Sequence, residues 1–75
     1  MKLPLLSANE IIKALEKAGF RVIRQKGSHI SLCKRSDTKI YLVVVPNKSE
    51  VKRGTLLSIL KQAGMSRDEF FSLLT

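Results

Sequence analysis

Phe20-Arg21-Val22-Ile23-Arg24-Gln25-Lys26-Gly27-Ser28-His29-Ile30-Ser31-Leu32-Cys33-Lys34 is the stretch that decides the fold. Two strand-like runs meet at Lys26-Gly27, which reads as a tight turn. In the second run, from Ser28 to Lys34, alternation puts Ile30 and Leu32 on one face. His29, Ser31 and Cys33 fall on the other, so His29 is expected on the polar side of a sheet. In the first run, from Phe20 to Gln25, Phe20 and Val22 share a face. A polar break, Arg35-Ser36-Asp37-Thr38, leads into a third run from Lys39 to Val45, rich in β-branched residues. There Ile40, Leu42 and Val44 face one way, and Tyr41, Val43 and Val45 the other. Both faces are apolar, so this strand is expected to be the best buried. Pro46-Asn47 stops it.

Helices flank the three strands. Ser7-Ala8-Asn9-Glu10 is a capping box, in which each of Ser7 and Glu10 can satisfy the other's backbone N–H. Ala8, Ile11, Ile12, Leu15 and Ala18 follow on one helical face, and Gly19 ends the helix. After a polar, basic loop from Asn47 to Arg53, Thr55 is expected to cap a second helix. Its apolar positions are Leu56, Leu57, Ile59, Leu60 and Ala63, and Gly64 ends it. A second capping box, Ser66-Arg67-Asp68-Glu69, opens a short last helix bearing Phe70, Phe71, Leu73 and Leu74. The order is αβββαα, an α+β fold: a three-stranded antiparallel sheet with helices packed on one face and the other face free.

Composition narrows the class. Seventy-five residues with 44% hydrophobic content suit one small domain over residues 1–75. Fourteen Lys+Arg against six Asp+Glu give a formal net charge of +8. That excess favours an acidic partner. Nine of the fourteen cations lie between Arg21 and Arg53, opposed there only by Asp37 and Glu50. Phosphate contact is the expectation. Aromatics are scarce, so a base-stacking platform is not expected. The single cysteine, Cys33, forms no internal disulfide and fits a reducing compartment. The opening Met1-Lys2-Leu3-Pro4-Leu5-Leu6 is too short an apolar run for a signal peptide. The expected location is the cytoplasm, with no membrane partner. The acids are scattered and no Cys/His/carboxylate set has metal-ligand spacing, so neither a metal nor another cofactor is expected.

One titratable imidazole, His29, stands inside this basic field. Judged by residue type, a lone histidine on a strand near a turn is a surface residue. Its neighbours argue for more. Arg24 and Lys26 can grip a phosphate, and the Gly27 backbone allows a close approach. His29 can then act as general base on an RNA 2′-OH or as proton donor to a leaving oxygen. Ser28 either orients the substrate or imidazole, or bonds its own backbone at the turn end. Lys52-Arg53-Gly54-Thr55 runs into a helix N-terminus, where free N–H groups and two cations favour an anion.

At these residues the chain resembles the HicA-type (YcfA-like) toxins of toxin–antitoxin systems. The resemblance runs through Leu15-Glu16-Lys17-Ala18-Gly19-Phe20, Arg24-Gln25-Lys26-Gly27-Ser28-His29, Val45-Pro46-Asn47, Lys52-Arg53-Gly54-Thr55-Leu56 and Ile59-Leu60-Lys61-Gln62-Ala63-Gly64. It implies a double-stranded-RNA-binding-domain-like fold. It also implies an mRNA interferase, an endoribonuclease whose catalytic histidine falls on His29, and a HicB-type antitoxin partner that covers the active face. Many such proteins have a histidine shortly after the Pro-Asn pair, where this chain has Lys48. A lysine there can stabilise a pentacoordinate phosphate.

The expected function is metal-independent RNA cleavage by a protein that is monomeric on its own. His29 is the catalytic residue, and Arg24, Lys26, Gly27, Ser28, Lys48, Lys52 and Arg53 bind the RNA phosphate. With a single histidine, the leaving-oxygen proton comes from His29 itself, a lysine or water. The alternative is a non-catalytic RNA-binding module of the same fold.

Overall fold

The computed structural model describes residues 5–74. The opening Met1-Lys2-Leu3-Pro4, read above as part of a short apolar run, lies outside the described residues. Three helices and three strands follow in the order α1 (Ala8–Lys17), β1 (Arg21–Lys26), β2 (His29–Arg35), β3 (Ile40–Pro46), α2 (Arg53–Ala63) and α3 (Arg67–Leu73). The strands form one antiparallel sheet in the order β1-β2-β3. This is the αβββαα, double-stranded-RNA-binding-domain-like arrangement, with an open sheet and helices on one face.

Both capping boxes form as the sequence demands. The Glu10 N–H donates to Ser7 Oγ at 3.2 Å, and the Ser7 N–H donates to Glu10 Oε1 at 3.0 Å. Ser66 and Glu69 repeat this exchange at the start of α3. Each box satisfies amides that the first helical turn leaves without intrahelical partners. The second helix begins differently. Thr55 does not cap it; Lys52 is its N-cap and makes no side-chain cap bond. Val51 fixes that start, because its N–H donates to the Leu6 carbonyl at 2.7 Å.

The core lies between the sheet and the helices. Ile30 and Leu32 of β2, with Val43 and Val45 of β3, meet Ile11, Ala14 and Leu15 of α1. Leu56, Ile59 and Leu60 of α2 and Phe70 of α3 close it. Side chains of this size contribute roughly 1.5–3 kcal/mol each on full burial.

One expectation about the strands fails here, for a physical reason. The third strand is not the best buried. It is an edge strand, and only one of its faces meets the helices, so Ile40, Leu42 and Val44 stand 58%, 61% and 42% exposed. Val22 pairs with the buried Leu32 and so shares the helix-facing side with Phe20, but on the edge strand β1 it is left 45% exposed. The pairing of β1 with β2 slips between Val22 and Arg24, leaving Ile23 as an extra residue. Such a bulge breaks simple alternation. All six residues of β1 are exposed.

Gly64 ends α2 at φ +65°, and a Cβ there would lie 2.7 Å from Tyr41 Cε1. Tyr41, on the helix-facing side of β3, thus packs where only a glycine fits. Gly64→Ala adds left-handed strain to overpacking and is expected to destabilise the fold by about 2 kcal/mol or more. A lower urea midpoint at unchanged slope checks this; an unmoved midpoint refutes it.

Candidate active site

The β1–β2 hairpin is the local device that presents His29. Lys26 pairs with His29 across a two-residue connection, Gly27-Ser28. Gly27 has φ +58°, and no other kind of residue among those described has positive φ. A two-residue hairpin with glycine first and an ordinary residue second is a favoured connection, because its twist matches the strands. The turn places His29 at the very start of β2, exposed, opposite Lys26 on one side and Pro46 on the other.

Register then sets what shares the open face with His29. Ile30 and Leu32 point into the core, so His29, Ser31, Cys33 and Arg35 point away from it. Arg24 pairs with Ser31 and Lys26 with His29, which puts both cations on the open face beside the imidazole. On the other flank, Pro46, Val44, Leu42 and Ile40 pair with His29, Ser31, Cys33 and Arg35. The open face is therefore cationic along β1 and apolar along β3.

A long-range bond brings the basic loop to this end of the sheet. The Asn47 N–H donates to the Ser28 carbonyl at 2.6 Å. The Lys48 N–H donates to the Pro46 carbonyl at 2.9 Å, and the Lys48 carbonyl accepts from the Ala8 N–H at 2.9 Å. Lys48 is thus held next to the residue that pairs with His29. Lys52 and Arg53 are positioned separately, by the Val51–Leu6 pairing and the start of α2.

Two of the nine cations between Arg21 and Arg53 belong to other contacts. Lys34 Nζ lies 5.7 Å from the Phe20 ring centroid, and Lys39 Nζ lies 5.4 Å from that of Tyr41. Such contacts favour a cation over an aromatic face. Asn47 was missed as a neighbour of the site. Its sequence signals are its place after Pro46, which reads as a strand stop, and its membership of the Val45-Pro46-Asn47 block, neither of which shows that it bonds to the turn at Ser28. Among the described residues, no three His, Cys, Asp or Glu side chains converge as a metal-binding group. No helix among them is long and apolar enough to cross a membrane.

Taken together, these features define a small basic α+β protein with one exposed imidazole at a hairpin end, flanked by cations. The family profile described as the HicA toxin of bacterial toxin-antitoxin matches residues 8–65. The chain therefore belongs to the HicA toxin family, whose members are toxins of toxin–antitoxin systems and are generally mRNA-cleaving ribonucleases. Membership implies an antitoxin partner. No curated protein matches the chain.

Proposed function

We propose that this chain is a metal-independent endoribonuclease, acting as one domain in the cytoplasm, with His29 as its general base. The observation that carries this reading is the pairing of His29 with Lys26 beside Arg24 on an open sheet face. His29 takes the proton of an RNA 2′-OH. The 2′-oxygen attacks the adjacent phosphorus, and the bond from phosphorus to the 5′-oxygen breaks. The products are a 2′,3′-cyclic phosphate and a 5′-OH. The leaving oxygen receives its proton from His29, a lysine or water, so the proton count closes. Arg24 and Lys26 hold the phosphate, and Lys48, whose backbone is tied to the Pro46 carbonyl, meets the charge that develops in the pentacoordinate state. The Gly27 turn allows the RNA backbone to come close, with Ser28 beside it. Lys52 and Arg53 extend the phosphate grip at the start of α2.

The test is cleavage of a long, unstructured RNA by the purified protein in excess EDTA. Cutting that leaves cyclic-phosphate ends supports the reading. Cutting abolished by EDTA removes its metal independence. Salt-sensitive RNA binding without any cutting turns it into the binding-module alternative.

The partner we propose is a HicB-type antitoxin covering the open face. Ile40, Leu42 and Val44 form an exposed apolar row there, suited to the buried centre of an interface. Leu42→Asp is expected to weaken the complex with the cognate antitoxin by about 30-fold or more while RNA cleavage persists. Calorimetric titration of the two proteins reads this directly, and unchanged affinity places the antitoxin elsewhere.

A further inference from the structure

At the end of the sheet remote from His29 lies a groove of about 460 Å³ lined by Gly19, Arg21, Val22, Ile23, Cys33 and Arg35. We infer that this groove is a binding subsite for one unpaired nucleotide of the RNA, its phosphate held by Arg21 and Arg35 and its base lying on Ile23 at the bulge. The inference rests on the ribonuclease reading above and extends it to how the substrate is held away from the scissile bond.

Three observations support the inference. The first is charge. Arg21 pairs with Cys33 across the hairpin, and Arg35 follows Cys33 by two on the same face of β2. Both guanidinium groups therefore rise from one end of the open face. Neither has an ion-pair partner among the described residues. Guanidinium is the side chain best matched to phosphate geometry.

The second is the bulge. The register slip makes Ile23 an extra residue, 58% exposed, in the groove beside those arginines. A bulge commonly re-aims side chains near a functional site. Here it gives a cationic groove an apolar floor. A polyanion bound by charge alone has no use for that floor, whereas an unpaired base has an apolar face to cover. A base inside a duplex has already stacked its face. The groove volume also falls within the range of small-ligand sites.

The third is spacing. Cys33 lies four residues beyond His29 on β2, or about 13 Å at strand rise. One stacked strand advances about 3.4 Å per nucleotide, so this span holds about four nucleotides, and fewer if extended. Arg24, with Ser31 opposite it, lies between the two ends of that path. A single strand can thus touch cations continuously from the scissile phosphate to the groove.

The experiment uses two variants and two probes. Arg21→Gln/Arg35→Gln removes the phosphate grip, and Ile23→Ser removes part of the floor while keeping every charge. All three positions are exposed, so the fold should survive, which circular dichroism checks. The first probe is an uncleavable 2′-O-methyl RNA twelve-mer read by fluorescence anisotropy, and the second is polyglutamate. The double variant is expected to bind RNA about tenfold more weakly, with the salt slope reduced by about 0.7 for each phosphate it no longer neutralises. Ile23→Ser is expected to weaken RNA about threefold and leave polyglutamate unchanged. Wild-type RNA affinity in the double variant overturns the subsite. Equal decreases for both probes in Ile23→Ser overturn the base contact. If the groove serves a protein instead, the double variant fails to bind the antitoxin but keeps RNA, which also overturns the inference. Failure of the ribonuclease reading is distinct: wild type then leaves RNA uncut while this binding pattern still reports on the groove. Wild type that fails to bind the RNA at all overturns both.

Discussion

His29→Ala is expected to lower RNA cleavage by about 10²–10⁴-fold, the usual contribution of a positioned general base or acid. The decrease should fall in the chemical step, because Arg24, Lys26 and Lys48 still hold phosphate. Binding of uncleavable RNA by the variant should stay close to that of wild type. Stability should also hold. The imidazole is exposed and makes no hydrogen bond among the described residues. Surface substitutions of that kind usually stay within about 0.5 kcal/mol. The clean reading is therefore a folded, RNA-binding, inactive protein in EDTA. A folded variant that still cuts at the wild-type rate removes His29 from the chemistry. Equal reduction of binding and cleavage instead assigns the ring to substrate contact.

The parts of this site legible in the sequence are the local ones. His29, Gly27, Lys26 and Arg24 belong to one hairpin, and a two-residue turn fixes their register without help from the rest of the chain. The two capping boxes are legible for the same reason, since each closes within four residues. What comes from a distance is not legible in the local pattern. Lys48 enters the sequence reading only through the family resemblance; the contact that brings its loop to the hairpin, the Asn47–Ser28 hydrogen bond, joins segments 19 positions apart. The start of α2 is fixed by Val51 meeting Leu6, not by the nearest hydroxyl, so Thr55 is the wrong cap.

Burial is misread where apolar residues occupy both faces of a strand. In β3 the run Ile40 to Val45 looks like a doubly covered central strand. Strand order decides otherwise, because β2 is central and the helices lie on one side only. The side chain of Gln62 accepts the Val44 N–H at 3.1 Å, so α2 reaches the edge of β3 without covering its second face. The apolar residues left over are then free for a partner. Charge is misread in a similar way: Lys34 and Lys39 count toward the phosphate-binding excess but lie over aromatic rings. Neither placement is visible from spacing alone.

Phe70→Ala is expected to cost about 3–5 kcal/mol, the usual range for a fully buried phenylalanine. Phe70 is 0% exposed, although it lies beyond the matched residues 8–65. The short helix α3 therefore completes the core that α1 and the sheet begin. For a chain of this length, total stability is on the order of 4–11 kcal/mol at the usual per-residue values. The cost is then a large fraction of the whole, and the melting temperature should fall by roughly 4–8 °C per kcal/mol. Phe70→Leu refills most of the cavity and should recover much of that stability. A decrease below about 1 kcal/mol in Phe70→Ala means that α3 does not close the core. The face that carries His29 gives an independent check. Phe70 packs on the helix side of the sheet and His29 stands on the other, so cleavage per folded molecule should not change. Uncleavable RNA at 100 times its Kd should stabilise the variant and wild type alike, by about 2.7 kcal/mol, because it binds only the native state. A variant whose specific activity falls even when fully folded would instead show that the core behind β2 sets the position of the imidazole in front of it.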